Sequence, residues 1–232
     1  MSDSVQKLFP ISGTAAVAHY GFAEIGGSSL EALIAEFEAQ LTVDELDPVA
    51  LPDALGAFLN ERLMAAFTED ELDEITDDPP FNNRDYAGLL VAHYDSDGIG
   101  RINVVTIPGP HVAPDNGVNT TELGFVARGD GDVVSRLIDG VALEAIADQV
   151  LDIPQSVIDA LRTLAYTRKL PTSMYDAMEF ATFLVRTTID MQRFSAGTIG
   201  SPRRLASCGG AVRALSLSRT GVRPAGAQTG AR

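Results

Sequence analysis

Residues 6–27 read QKLFPISGTAAVAHYGFAEIGG, and this stretch decides the fold class. Leu8, Phe9, Pro10 and Ile11 form a short apolar run, Ser12–Gly13 supplies a turn, and Ala15 to Tyr20 form a second run closed by Gly21. Two β-type runs joined by a Gly-containing turn predict a hairpin. The second run has too few polar residues to face water, so it is expected inside a core sheet. A core strand pair thus begins almost at Met1, with no strand before it to hold its edge.

Downstream, Ser28 with Glu31 three residues later fits a capping box. Leu30, Leu33, Ile34, Phe37 and Leu41 then recur at helical spacing, and Pro52 opens a second helix striped by Leu55, Phe58, Leu59, Leu63 and Phe67. Both stripes are expected to be core faces packed on a sheet. The acidic run 69–80, EDELDEITDDPP, reads as a solvated helix end and loop stopped by Pro79–Pro80, in preference to a cation site. Ala87–Tyr94 and Arg101–Ile107 predict strands, with Asp95-Ser96-Asp97-Gly98 between them. That D-x-D-G resembles part of a calcium loop but lacks the remaining ligand positions, so a hairpin turn is the expected reading.

A polar loop is expected over 108–119 and a strand over Thr121–Ala127. Arg128-Gly129-Asp130-Gly131-Asp132 leads into a helix from Val133. Asp130 and Asp132 would repel an anion there, and Asp132 serves more simply as a helix cap. Pro154–Lys169 and Ser173–Phe194 predict two more helices. The second is apolar on most sides, so it is expected to be buried in a large fold or between subunits. After the loop 195–202, a β-like segment runs over 211–217, and the stretch from Thr220 is expected to be a disordered tail.

The chain has 232 residues, 45% of them hydrophobic, enough for a sizeable core. No run of eighteen apolar residues occurs, so no transmembrane helix is predicted. Cys208 is the single cysteine and can form no internal disulfide, which points to a reducing cytoplasm. The net charge is -15; residues 201–232 carry six arginines and no acid, leaving 11 basic and 32 acidic residues, or -21, in the rest. An acidic body repels phosphates, and the basic segment has no aromatic residue for base stacking, so nucleic acid is not an expected partner. His19 and His93 lie in apolar strands and read as satisfied core histidines. His111 is remote from both in sequence. No metal-ligand or nucleophile motif of the HExxH, CxxC or GxSxG kind occurs, and no metal or cofactor is expected.

The element order is strand–strand, helix–helix, three strands, three helices, strand. Consecutive hairpins and consecutive helices argue for an α+β layered domain rather than alternating βαβ units. Lys7-Leu8-Phe9-Pro10-Ile11, a turn, and AAVAHYG at 15–21 resemble the third and fourth strands of proteasome β-type subunits, which are N-terminal-nucleophile hydrolases. The resemblance implies a four-layer αββα sandwich, two antiparallel sheets between helix layers, with the first strands missing. It implies one domain over residues 1–200, followed by the basic segment 201–232 with an edge strand at about 211–217. It also implies that Lys7 belongs to the catalytic centre.

The family's N-terminal threonine and an aspartate lie farther upstream, and no residue of this chain stands there. Ser2, exposed if Met1 is removed, is too close to Lys7, because the family places a strand and a turn between them. Gly129 and Asp130 stand where the family has a Gly-Ser-Gly turn whose serine bonds the N-terminal amine; Asp130 departs from that pattern. Ser207 or Cys208, with Gly209 and Gly210, matches the family's last turn, although Arg204 or Leu205 replaces its aspartate. The resemblance therefore implies a threonine-type peptidase relative that is inactive without an upstream nucleophile, or a non-catalytic subunit of the same fold. Its implied partners are copies of itself in a ring and, given the nucleophile, a peptide substrate; no membrane partner is expected.

Overall fold

The computed structural model describes residues 6–41, 48–77, 86–108, 111–119, 126–128, 133–134, 137–138, 154–163, 171, 173–194 and 212–224. The chain divides into two compact units. One comprises residues 2–126 with 213–232, and the other comprises 127–212.

In the first unit, strands β1 (Leu8–Ile11) and β2 (Ala15–Gly21) form the hairpin expected from residues 6–27. Glu24–Ile25 (β3) and Ser28–Ser29 (β4) make a second, minimal hairpin. Gly26 and Gly27 connect them with φ of 57° and 82°, a left-handed pair that a tight hairpin turn requires. Helix α1 (Leu30–Gln40) follows without a linker. Its N-cap is Ser29, whose Oγ accepts the Ala32 N–H at 3.2 Å, so the cap lies one residue after Ser28 and is a single N-cap bond, not the expected Ser28–Glu31 box. Ser28 is taken up by pairing with Ile25.

Helix α2 (Leu51–Ala66) starts with Pro52 in its first turn, as read from the sequence. Leu55, Leu59 and Leu63 are each fully buried, and burying one such side chain contributes about 1.5–3 kcal/mol. Phe37 of α1 packs against Phe58 of α2, and Arg62 pairs with Glu36 at the surface. Helix α3 (Glu69–Asp77) has a reciprocal cap that the sequence reading missed. The Thr68 N–H bonds Glu71 Oε2 at 2.8 Å, and the Glu71 N–H bonds Thr68 Oγ1 at 3.3 Å.

Strands β5 (Ala87–Tyr94), β6 (Gly100–Ile107) and β7 (His111–Asn119) complete an antiparallel sheet in the order β1-β2-β5-β6-β7. The loop expected over 108–119 is thus a strand from His111 onward. Pro114, Asn116 and Gly117 argue locally for a loop, but β6 offers an unpaired edge, and a register irregularity between Arg101 and Asn103 absorbs the mismatch. Of the strand expected over Thr121–Ala127, Val126 and Ala127 lie outside any strand, and the remainder lies outside the described residues. Both edge strands carry a proline, Pro10 and Pro114, which limits pairing with further chains.

Residues paired across this sheet share a face. Phe9, Ile11, Ala15, Val17, Leu89, Val91, Val105 and Ile107 face α1 and α2 and form one buried core with them. The opposite face is also largely apolar: Ala16, Ala18, Leu90, Ala92, Ile102 and Val104 alternate with the first set. Ala16 and Val104 are buried there and the others half-buried.

Strands β8 (Leu215–Ser218) and β9 (Gly221–Pro224) form a separate two-stranded hairpin against β2 and β5. Its tip is tied down by Val222 N–H to the Gly13 carbonyl at 3.0 Å and by Arg219 Nε–H to the Gly98 carbonyl at 2.9 Å. The predicted strand at 211–217 lies a few residues later, and Gly221–Pro224, expected as tail, is ordered by that pairing.

In the second unit, Val133, Val134, Leu137 and Ile138 are helical, as expected after Asp132. Helix α4 spans Gln155–Arg162; residues 164–169 of the expected helix lie outside the described residues. Helix α5 spans Met174–Phe194 and is capped by Ser173, whose Oγ accepts the Asp176 N–H at 3.1 Å. Within the single chain it is only partly enclosed. Leu184, Thr188 and Gln192 form its buried stripe, while Phe183 and Phe194 are 53% and 80% exposed. Among the described residues, no helix is long and apolar enough to cross a membrane. The protein is a mixed α+β fold with antiparallel sheets.

Candidate functional site

Lys7 stands one residue ahead of β1, with its side chain in solvent. Its position is set from β2. The His19 main-chain N–H bonds the Lys7 carbonyl at 3.0 Å, and the His19 ring bonds the Gln6 carbonyl through Nε2 at 3.1 Å. A carbonyl only accepts, so Nε2 carries the hydrogen and neutral His19 has its lone pair on Nδ1. That nitrogen is buried and meets no hydrogen-bond partner among the described residues. The ring lies parallel to Phe9, with centroids 6.0 Å apart. Burial holds the His19 pKa below its ordinary 6.5; the Gln6 carbonyl opposes that shift, and the Lys7 charge adds to it.

Gln6 links this segment to the other end of the chain. Its Nε2 donates to the Leu8 carbonyl at 3.1 Å, and its Oε1 accepts from Arg213 at 2.6 Å. The head of β1 therefore gathers two cationic residues, Lys7 and Arg213, around a short clamped segment. Positive charge held in a fixed place can stabilise a negative charge that develops during a reaction.

Of the site residues that the family resemblance implies, Lys7 alone is among those described. Gly129, Asp130 and Ser207 lie outside them, as do Asp132, Arg204, Leu205 and Cys208. The sequence reading missed Gln6 and Arg213. The contact joining them spans 207 positions, and no local pattern announces such a pair. His19 and His93 are core residues as expected, but each is only half satisfied. His93 Nε2 pairs with Asn103 Oδ1 at 3.0 Å, while both Nδ1 atoms are buried without a partner among the described residues.

The D-x-D-G segment is a turn. Asp95 Oδ1 accepts from the Ile99 and Asp97 N–H groups at 2.8 and 3.1 Å, and Oδ2 accepts from Arg101 Nε at 2.7 Å. The Ile99 N–H, with smaller contributions from Arg101 and Asp97, holds the Asp95 carboxyl below its ordinary range. Both oxygens of this carboxylate are engaged by protein donors. Among the described residues, no group of three or more His, Cys, Asp or Glu is placed to hold a metal ion. The chain matches no protein-family model and no curated protein.

Proposed function

We propose that this chain is the body of a proteasome-like, threonine-type peptidase fold, with Lys7 beside the place of the nucleophile. One observation supports the reading most: a lysine directly precedes the edge strand of a five-stranded antiparallel sheet whose strands β1, β2, β5 and β6 are largely apolar on both faces. Helices α1 and α2 cover one face. A sheet apolar on its second face needs a second layer. The four-layer αββα sandwich supplies one, and α4, α5 and the β8–β9 hairpin follow in a chain order compatible with it.

In such a site, a hydroxyl at a free N-terminus attacks the peptide carbonyl, and its own α-amine takes the proton. The Lys7 ammonium disfavours a second positive charge on that amine and so keeps it neutral. The same ammonium stabilises the oxyanion that forms. The substrate class is a peptide. The reading needs a threonine at the mature N-terminus, ahead of Lys7 in the sequence. Lack of that nucleophile would cost about 10⁶-fold in turnover.

The test is a peptidase assay on protein purified from its source, with a covalent threonine-reactive inhibitor as probe. Labelling and cleavage that are both lost in Lys7→Ala support the reading. Cleavage that persists in Lys7→Ala contradicts it.

A second reading is a non-catalytic subunit of the same fold that assembles into a ring or scaffold. The exposed apolar residues of α5, Phe183 and Phe194 among them, favour it. It predicts a large particle on sizing with no peptidase activity.

A further inference from the structure

His19 holds two successive carbonyls at the head of an edge strand, Gln6 with its ring and Lys7 with its main chain. The strand it fastens is weak in its own right. β1 has four residues, pairs on one side only in the sheet, and includes Pro10, which brings no N–H.

The arrangement depends on an uncharged ring. Protonation would place a second N–H on Nδ1, which is buried and has no acceptor among the described residues. The charged groups near the ring do not compensate. Lys7, on the segment the ring clamps, is a cation, and so is Arg213, which binds the Gln6 side chain. The residue opposite His19 on β5 is Leu89, and the ring's stacking neighbour on β1 is Phe9. None of these carries a negative charge.

We propose that His19 is a proton-operated clamp: neutral, it fastens the Gln6–Lys7 segment to the sheet; protonated, it releases that segment together with β1. This inference concerns the strand and stands whether or not Lys7 serves catalysis.

The sign follows from linkage. Release returns the ring to water and to its ordinary affinity for protons, which is higher than in the clamped state. As pH falls below about 6.5, the released form takes up a proton that the clamped form refuses. Release then gains up to about tenfold per pH unit, until the clamped ring itself titrates. Above that window the clamp is closed.

The experiment is amide hydrogen exchange on the full chain at about pH 7.5 and about pH 5.5, referenced to intrinsic rates at each pH, a window that holds the histidines and stays above the carboxylates. In the unsubstituted protein, protection over residues 9–19 is expected to fall at the lower pH, by up to about tenfold. His19→Phe, which retains an aromatic ring on Phe9, is expected to show less than about a twofold change, and His93→Phe is expected to keep the fall. Protection that does not change with pH, or that falls equally in His19→Phe, overturns the proposal. Should His19→Phe fail to fold, the His19 Cε1–H resonance of the unsubstituted chain decides alone. A midpoint below 6.5 supports the clamp, and one at or above 6.5 overturns it.

Discussion

Asp95 shows how one side chain can answer a question that its neighbours leave open. Its sequence context allows a cation or a turn, and the choice rests on where its two oxygens point. They meet two main-chain N–H groups and one guanidinium, so both oxygens are already engaged by the turn itself. Because those donors lower its pKa, the carboxylate stabilises the fold at pH values above its unfolded range, and that contribution fades as pH falls through the folded value. Asp95→Asn is therefore expected to lower the melting temperature at neutral pH and to flatten its decline on the acid side. Melting curves at several pH values check this; an unchanged acid limb would contradict it. Gly21 gives a second prediction at this scale. Its φ is +82°, and a Cβ there would lie 2.7 Å from the Tyr86 carbonyl oxygen. Gly21→Ala is expected to cost about 1–3 kcal/mol in denaturant unfolding, because both strain and a backbone clash oppose it.

Among the elements, those legible in the sequence are the ones whose signal is periodic and local. The α1 and α2 stripes, and the β2 and β5 runs, carry their burial pattern in their own residues. The failures each have a competing local cue. Ser28 and Ser29 are equally good caps by composition, and the hairpin around Gly26–Gly27 claims the first of them. Ser29→Ala is accordingly expected to cost about 1 kcal/mol and Ser28→Ala much less, by denaturant unfolding of both variants. In β7, turn-forming residues are recruited by the free edge of β6, and in β9 a polar tail is held by Gly13 and by the Arg219–Gly98 contact. Pairing across long sequence separations overrode composition in both. In helix α5 the Leu184, Thr188 and Gln192 stripe is covered within the chain, and apolar content alone did not distinguish that stripe from the residues the chain leaves exposed. For α2, whose stripe does form the core, Leu59→Ala is expected to cost about 2–5 kcal/mol.

At the scale of the molecule, the two-faced sheet and the distribution of charge stand out. The acidic body and the arginine-rich C-terminal segment are not separate entities, because Arg213 and Arg219 both bond groups of the first unit. These arginines bind neutral oxygens of Gln6 and Gly98, so added salt is expected to leave the hairpin in place; exchange protection of Val222 N–H at low and high ionic strength checks this. The candidate site was legible only in part. Lys7 could be named from its neighbours in sequence, whereas the residues that place it, Gln6, His19 and Arg213, come together only through the fold.

The peptidase reading rests on a nucleophile ahead of Lys7, and the most direct measurement is the N-terminal sequence and intact mass of the protein purified from its own source. The account predicts a mature chain that begins upstream of Met1 with an exposed threonine. A mature chain that begins at Met1 or Ser2 would contradict it and would turn the question from substrates to partners.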